Sequence, residues 1–265
     1  VARISHTRLS NVERPLRLSY AGDVLRVKGT QLRPERQFKQ VGAELIGTNT
    51  TEAYVEIILL GYEALKDAGV NNLSIDLTVP LLVPVILKEL ALEKEISDLV
   101  RCALDAKNIG EIANIKGEIG TISRDLLKAA GPAEKSLKIL RNIELPKKAR
   151  EICDELGKLI ELLKKIKPEL VITIDPGEYT GFEYQTGISF SLFASGVRGE
   201  LGRGGRYLVN AECGDGEPAT GFSLYPDSLM RALGSFETEK KIFIPFKSDR
   251  NQLSMLQSQG YRTLQ

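Results

Sequence analysis

The sequence predicts an α+β fold: an antiparallel sheet flanked by helices, with a helical insertion. Three observations predict it. Residues 16–27 and 37–46 alternate apolar and polar side chains on either side of a charged stretch, the pattern of a two-stranded hairpin. Residues 81–167 lose that period and become rich in Leu, Ile, Lys and Glu at helical spacing. Strand patterning then returns over 170–175 and 184–193. A chain of 265 residues can bury a substantial core, in one large domain or two smaller ones.

Each element has its own justification. The opening residues read as the inside of a helix and the end at Gln265 reads as early, so a fragment, or a chain whose disordered ends are left out, is expected. That helix carries His6, the only histidine; no Ser or Cys pattern accompanies it, so a surface or packing role is expected. In the second hairpin strand, Phe38, Gln40, Gly42, Glu44 and Ile46 share one face, and Val41, Ala43 and Leu45 the other. The second set suits a packed face. The first places an amide and a carboxylate around a glycine, where a ligand can approach the backbone. Arg26 closes the preceding strand and is within reach of the same surface. Arg, Gln and Glu around a gap make a floor for a small zwitterion, and a solvated sheet face is the plainer reading.

Thr51 and Glu52 open a helix with apolar positions at Val55, Ile58, Leu59, Tyr62 and Leu65, ended at Gly69. Leu73, Ile75, Leu77 and Val79 mark a half-buried strand. The helical run has breaks at Gly131-Pro132 and Pro146, and Pro168 ends it. Its last part, GKLIELLKKIK, reads as the solvated face of an amphipathic helix. A strand at 242–246, a helix at 248–257 and a strand at 261–264 open a small unit. The expected organisation is therefore a sheet domain in two parts, 1–80 and 168–236, around an insertion at 81–167, with a C-terminal α/β unit at 237–265. The segment GELGRGGRYL lacks the order of a phosphate loop. It reads as a hairpin turn whose glycines let Arg206 and Tyr207 approach a pocket.

Composition narrows the classes. Thirty-six basic and 35 acidic residues leave a net charge of +1, so charge gives no case for nucleic acid. Cys102, Cys153 and Cys213 are widely spaced, with no C-x-x-C pair. They suit reduced thiols in the cytoplasm rather than a disulfide framework or a metal site. No segment has the apolar length of a membrane span, and the start lacks a signal pattern.

Four segments together carry a resemblance. Residues 15–47, PLRLSYAGDVLRVKGTQLRPERQFKQVGAELIG, resemble motif 2 of the class II aminoacyl-tRNA synthetases, of the histidyl type. GFEYQTGISF at 181–190 resembles the histidine-binding signature R-G-L-D-Y-Y-T-G-x-x-F. GGRY at 204–207 and ATGFSLYPDSL at 219–229 follow in the family's order. The resemblance implies a class II synthetase-like sheet and a histidine pocket. By it, Arg26, Gln40, Glu44, Tyr184 and Gln185 are the histidine-binding candidates. Gly42, Glu183, Arg206 and Tyr207 are the pocket-lining ones. Gln40 would take the amino or carboxylate end, Glu44 the imidazole and Tyr184 the ring, while Arg26 would meet the carboxylate.

The departures point away from catalysis. Thr180 replaces the signature arginine, Gln185 its second tyrosine and Ser228 the motif 3 arginine. Lys28 stands where an acidic residue positions adenine, and Leu208 where Asp follows GGRY. Adenylyl transfer depends on cations that stabilise charge, and one lost donor costs about two to three orders of magnitude. No catalytic residue and no cofactor are expected. HTRL, RLSYAGDVLR and RQFKQVGAELIG in series resemble the regulatory-subunit family of ATP phosphoribosyltransferase, paralogous to histidyl-tRNA synthetase. That resemblance implies a partner, the short catalytic subunit, in a hetero-oligomer for the first step of histidine biosynthesis. It also implies histidine as feedback effector and self-association as a dimer. GDGEPATG matches neither loop of a phosphoribosyl-diphosphate enzyme, so the chain is not expected to transfer that group itself. A working histidyl-tRNA synthetase, a vestigial pocket and a purely structural scaffold are the rival readings.

Overall fold

A computed structural model describes residues 1–25, 27, 36–178, 185–209, 216–234 and 241–264. Arg26, Lys28, Thr180, Glu183, Tyr184 and Cys213 lie outside the described residues. The chain divides into two compact units, Val1–Ala232 and Leu233–Gln265.

The first unit is built on the hairpin. After helix α1 (Ala2–Thr7), strands β1 (Leu16–Leu25) and β2 (Gln37–Ile46) pair antiparallel, with Leu18 opposite Glu44 and Tyr20 opposite Gly42. Helix α2 (Thr51–Asp67) is capped by the Thr50 hydroxyl, which accepts from the Ala53 N–H at 3.3 Å. Strand β3 (Leu73–Thr78) follows, with Leu73, Ile75 and Leu77 buried on one side.

The helical run comprises α3 (Leu82–Glu89), α4 (Lys94–Asp105), α5 (Ile109–Asn114), α6 (Gly117–Ala129), α7 (Ala133–Asn142) and α8 (Lys147–Ile166). The Gly131-Pro132 break is not a simple turn. It forms the short strand β4 (Gly131–Pro132), paired with β5 (Val171–Asp175). In α8, Cys153, Leu156, Leu159, Ile160 and Leu163 are buried, leaving its lysines on the wet side.

Strands β6 (Gln185–Ala194), β7 (Gly202–Val209) and β8 (Glu217–Leu224) complete an eight-stranded sheet of order β1-β2-β8-β7-β6-β3-β5-β4. Neighbours are antiparallel except β3 and β5, which run parallel; the helical run between them supplies the crossover that a parallel pair needs. The segment expected to be a hairpin turn is β7, an interior strand. Its glycines admit neighbouring side chains rather than reversing the chain: the Phe190 ring fills the space beside Gly204.

One face of the sheet is apolar and covered by helices. Leu45, Phe222, Phe190, Leu192, Ile75, Leu77 and Ile174 are buried. Gly61 of α2 lies against Leu192 and Phe222. The other face is polar, and it carries Gln40, Gly42, Glu44, Gln185 and Tyr207. Helix α9 (Pro226–Leu233) ends the main body of the unit. In the second unit, β9 (Lys241–Phe243) and β10 (Arg262–Leu264) pair parallel around α10 (Arg250–Ser258).

Candidate ligand site on the polar face of the sheet

Strand alternation fixes which side chains share the polar face. Cross-strand register then lines them up in rows. One row runs Leu18, Glu44, Gly221, Gly205, Ser189, Thr78, Asp175 across β1, β2, β8, β7, β6, β3 and β5. The next runs Tyr20, Gly42, Ser223, Arg203, Ser191, Asp76, Thr173. A third begins Leu16, Ile46, Ala219, Tyr207, Gln185. The buried residues Leu16, Ile46, Ala219 and Val209 close that end, with Ala2 and Leu9 packed against them. Phe38 and Tyr225, ring centroids 6.1 Å apart, stand at the opposite end.

Glycines hollow the centre. The Glu44 carboxylate occupies the place a Cβ on Gly221 would take, and the Gln185 amide does the same at Gly205. The Tyr207 hydroxyl donates to Glu44 Oε2 at 3.0 Å, and Gln185 Nε2 donates to the Gly204 carbonyl at 3.3 Å. Burial pushes the Glu44 carboxyl up to about 7, against the Tyr207 hydrogen bond, which favours the charged form. Tyr20 bonds Ser223 Oγ at 2.7 Å across Gly42. Gln40, one alternate position further along β2, is half-buried on the same face.

Deeper in the row, Ser189 and Thr78 face each other across β6 and β3, 0% and 2% exposed. Neither hydroxyl has a hydrogen-bond partner among the described residues. Buried hydroxyls are normally satisfied, so such a pair marks a surface that meets water or ligand. Beyond them, burial raises the Asp76 and Glu178 carboxyls above the usual range, and the neighbouring Asp175 raises both further. Lys107 pairs with Asp175 at 2.5 Å. No cluster of His, Cys, Asp or Glu among the described residues could hold a metal ion.

Of the sequence candidates, Gln40, Gly42, Glu44, Gln185 and Tyr207 share this face. Arg206 does not. Adjacent strand residues point to opposite sides, so with Tyr207 on the polar face Arg206 enters the helix-covered one. There, 6% exposed, its guanidinium stacks 3.9 Å from the Tyr54 ring centroid. It donates to Glu155 at 3.3 Å, to Thr220 Oγ1 at 3.3 Å and to the Thr50 carbonyl. Arg206 is a strut between sheet and helices, on the side away from Glu44 and Tyr207. Arg26, Glu183 and Tyr184 lie outside the described residues. Sequence reading missed Tyr20, Ser223, Ser189, Thr78 and Arg203. The alternation within GRGGRYLV, which puts Arg203 and Tyr207 on one face, was the available signal for the last.

Known proteins resemble this chain in sequence and fold. A family model described as Histidyl-tRNA synthetase matches residues 1–229. A protein of Rhodospirillum centenum named ATP phosphoribosyltransferase regulatory subunit is 47% identical over 264 residues, covering 100% of this chain and 68% of its own. A Bacillus halodurans structure described as an ATP phosphoribosyltransferase regulatory subunit/histidyl-tRNA synthetase superposes with TM-score 0.79 at 25% identity, over 99% of this chain and 71% of that one. The ATP phosphoribosyl transferase (HisG:HisZ) complex from Thermotoga maritima contains a chain of the same fold. That match has TM-score 0.65 at 21% identity and covers 84% of this chain and 77% of that one.

Proposed function

The chain belongs to the family of ATP phosphoribosyltransferase regulatory subunits, and we propose that it senses histidine for a short catalytic subunit that is inactive without it. It is a regulatory subunit, not a catalytic one. No helix among the described residues is long and apolar enough to cross a membrane. Our reading is of a cytoplasmic hetero-oligomer in which copies of the chain also pair with each other.

The observation that carries the histidine reading is the Glu44 carboxylate, set over Gly221 and held by the Tyr207 hydroxyl. A carboxylate acceptor shielded from water suits an imidazole N–H, which donates to it. Gln40 supplies a half-buried amide and Gln185 a fully buried one. Histidine then inhibits by linkage: the state of the assembly that binds it better holds the partner's active site poorly.

The test reconstitutes the full-length protein with the short phosphoribosyltransferase of the same organism. Phosphoribosyl transfer should require the chain and fall on adding histidine. Glu44→Ala should keep activation and lose at least tenfold in histidine sensitivity. Activity of the catalytic subunit alone would refute the activating role, and unchanged inhibition of the Glu44→Ala assembly would refute the pocket. Pyrophosphate exchange with histidine and ATP should be absent; robust exchange would make the chain a working synthetase.

A further inference from the structure

We propose that Arg203, a residue outside every motif matched in the sequence, anchors the carboxylate of the amino-acid ligand. The inference rests on the histidine reading above and assigns the half of the ligand that Glu44 does not reach.

The placement of Arg203 follows from its strand. In β7, Gly204 lies against Phe190 and Arg206 enters the helix-covered side, while Tyr207 reaches Glu44 on the polar side. Alternation therefore puts Arg203 on the polar face with Gly205 and Tyr207. Its register partners are Ser223 on β8 and Ser191 on β6. It is half-buried, as a residue lining a cleft would be.

The spacing fits one small zwitterion. The Glu44 carboxylate sits over Gly221, whose partner on β7 is Gly205, two residues from Arg203. One strand spacing sideways and two residues along separate the backbone at Gly221 from that at Arg203 by about 8 Å. That is the scale of an amino acid with a ring-bearing side chain laid across the sheet. Between the two lie Gly205 and Gly221, whose open sides hold the Gln185 amide and the Glu44 carboxylate, with the Ser189 and Thr78 hydroxyls, unpartnered among the described residues, beside them. A carboxylate acceptor at one end and a planar guanidinium at the other, beside an amide and two hydroxyls without partners among the described residues, suit an imidazole and an α-carboxylate together.

The assignment also accounts for a sequence departure. The signature arginine of the family is Thr180 here, and Arg203 places a cation on the polar face from β7. A guanidinium there can serve a carboxylate without restoring the set of arginines that a triphosphate requires.

The test compares histidine with histidinol, which keeps the ring and amine but carries an alcohol in place of the carboxylate. Both are titrated calorimetrically into the full-length protein in its complex. The wild type should prefer histidine by ten- to a hundredfold, on the order of one charge-assisted pair. Arg203→Gln should bind histidine that much more weakly, hold histidinol within about twofold, and so lose the preference. Retained histidinol binding shows that the pocket is intact. Arg203→Lys, which keeps the charge but not the fork, should fall between. Arg26→Ala should leave the preference in place.

If Arg203→Gln keeps the wild-type preference, or Arg26→Ala abolishes it, Arg203 is not the anchor. Should Arg203→Gln lose both ligands, the Arg203→Lys titration decides, and an unaltered preference there overturns the proposal. A wild-type complex that binds neither compound defeats the histidine reading itself, a separate result.

Discussion

Glu44 illustrates what one buried carboxyl costs and what it is for. Its folded-state pKa of about 7 lies above the ordinary 4.5 because burial opposes the charge more than Tyr207 favours it. A raised carboxyl holds its proton in the folded state over a range where the unfolded chain has released it. Stability from this residue is therefore fully present below about 4.5, falls as pH rises to about 7, and stays low above that, by about 3 kcal/mol at most. Glu44→Gln should flatten that slope in urea titrations and raise stability at alkaline pH while weakening histidine binding. A variant with the same slope as the wild type would locate the titration elsewhere. Arg206 makes the opposite case. Its guanidinium holds Tyr54, Glu155, Thr220 and Thr50 together on the dry side of the sheet. Arg206→Ala should lower unfolding free energy by about 3 kcal/mol in urea, because it leaves a carbonyl and a carboxylate without their donor. Histidine affinity measured well below the transition should hardly change.

At the scale of elements, the glycines of β7 and β8 shape the site more than any polar residue does. Gly221→Ala would place a Cβ where the Glu44 carboxylate now lies, so Glu44 must leave Tyr207. The expected result is a folded protein, destabilised by about 1–3 kcal/mol, with histidine binding weakened at least tenfold; undiminished affinity would mean that the pocket lies elsewhere. These same glycines explain what could be read in advance. The β1–β2 hairpin and α2 were legible because Val41, Ala43 and Leu45, and later Val55, Ile58 and Leu65, repeat at the period of their element. GRGGRYL was not legible as a strand, because three glycines in five residues look like a turn. Only the partner strands show that the gaps are filled by Phe190, Gln185 and Leu224. Reading a turn let Arg206 and Tyr207 approach one pocket together. As neighbours in a strand they cannot: Tyr207 lies on the polar face with Arg203, and Arg206 on the helix-covered one. Ser189 and Thr78 gave no signal at all, since a hydroxyl in a strand carries no mark of having lost its partner.

The whole cleft has a charge balance that no single substitution reveals. Among the described residues, Glu44, Asp76, Asp175 and Glu178 lie on or beside the polar face, against Lys107 and Arg203. Lys107 serves Asp175, and Arg203 is the cation that our proposal assigns to a ligand's carboxylate. A zwitterion brings one negative charge to such a surface; a nucleoside triphosphate brings about four, into a region where partial burial makes each repulsion stronger than in water. A ligand that binds only the folded state stabilises it by RT ln(1 + [L]/Kd), about 2.7 kcal/mol at a hundredfold excess over Kd. For a unit spanning Val1–Ala232, that corresponds to a rise in midpoint temperature of about 5–10 °C. Histidine should produce this shift in thermal unfolding of the full-length protein, whereas ATP with magnesium at the same excess over a typical synthetase Kd should leave the midpoint unchanged. A comparable rise with ATP would mean that cations outside the described residues outweigh the carboxylates, and that this face still serves a nucleotide.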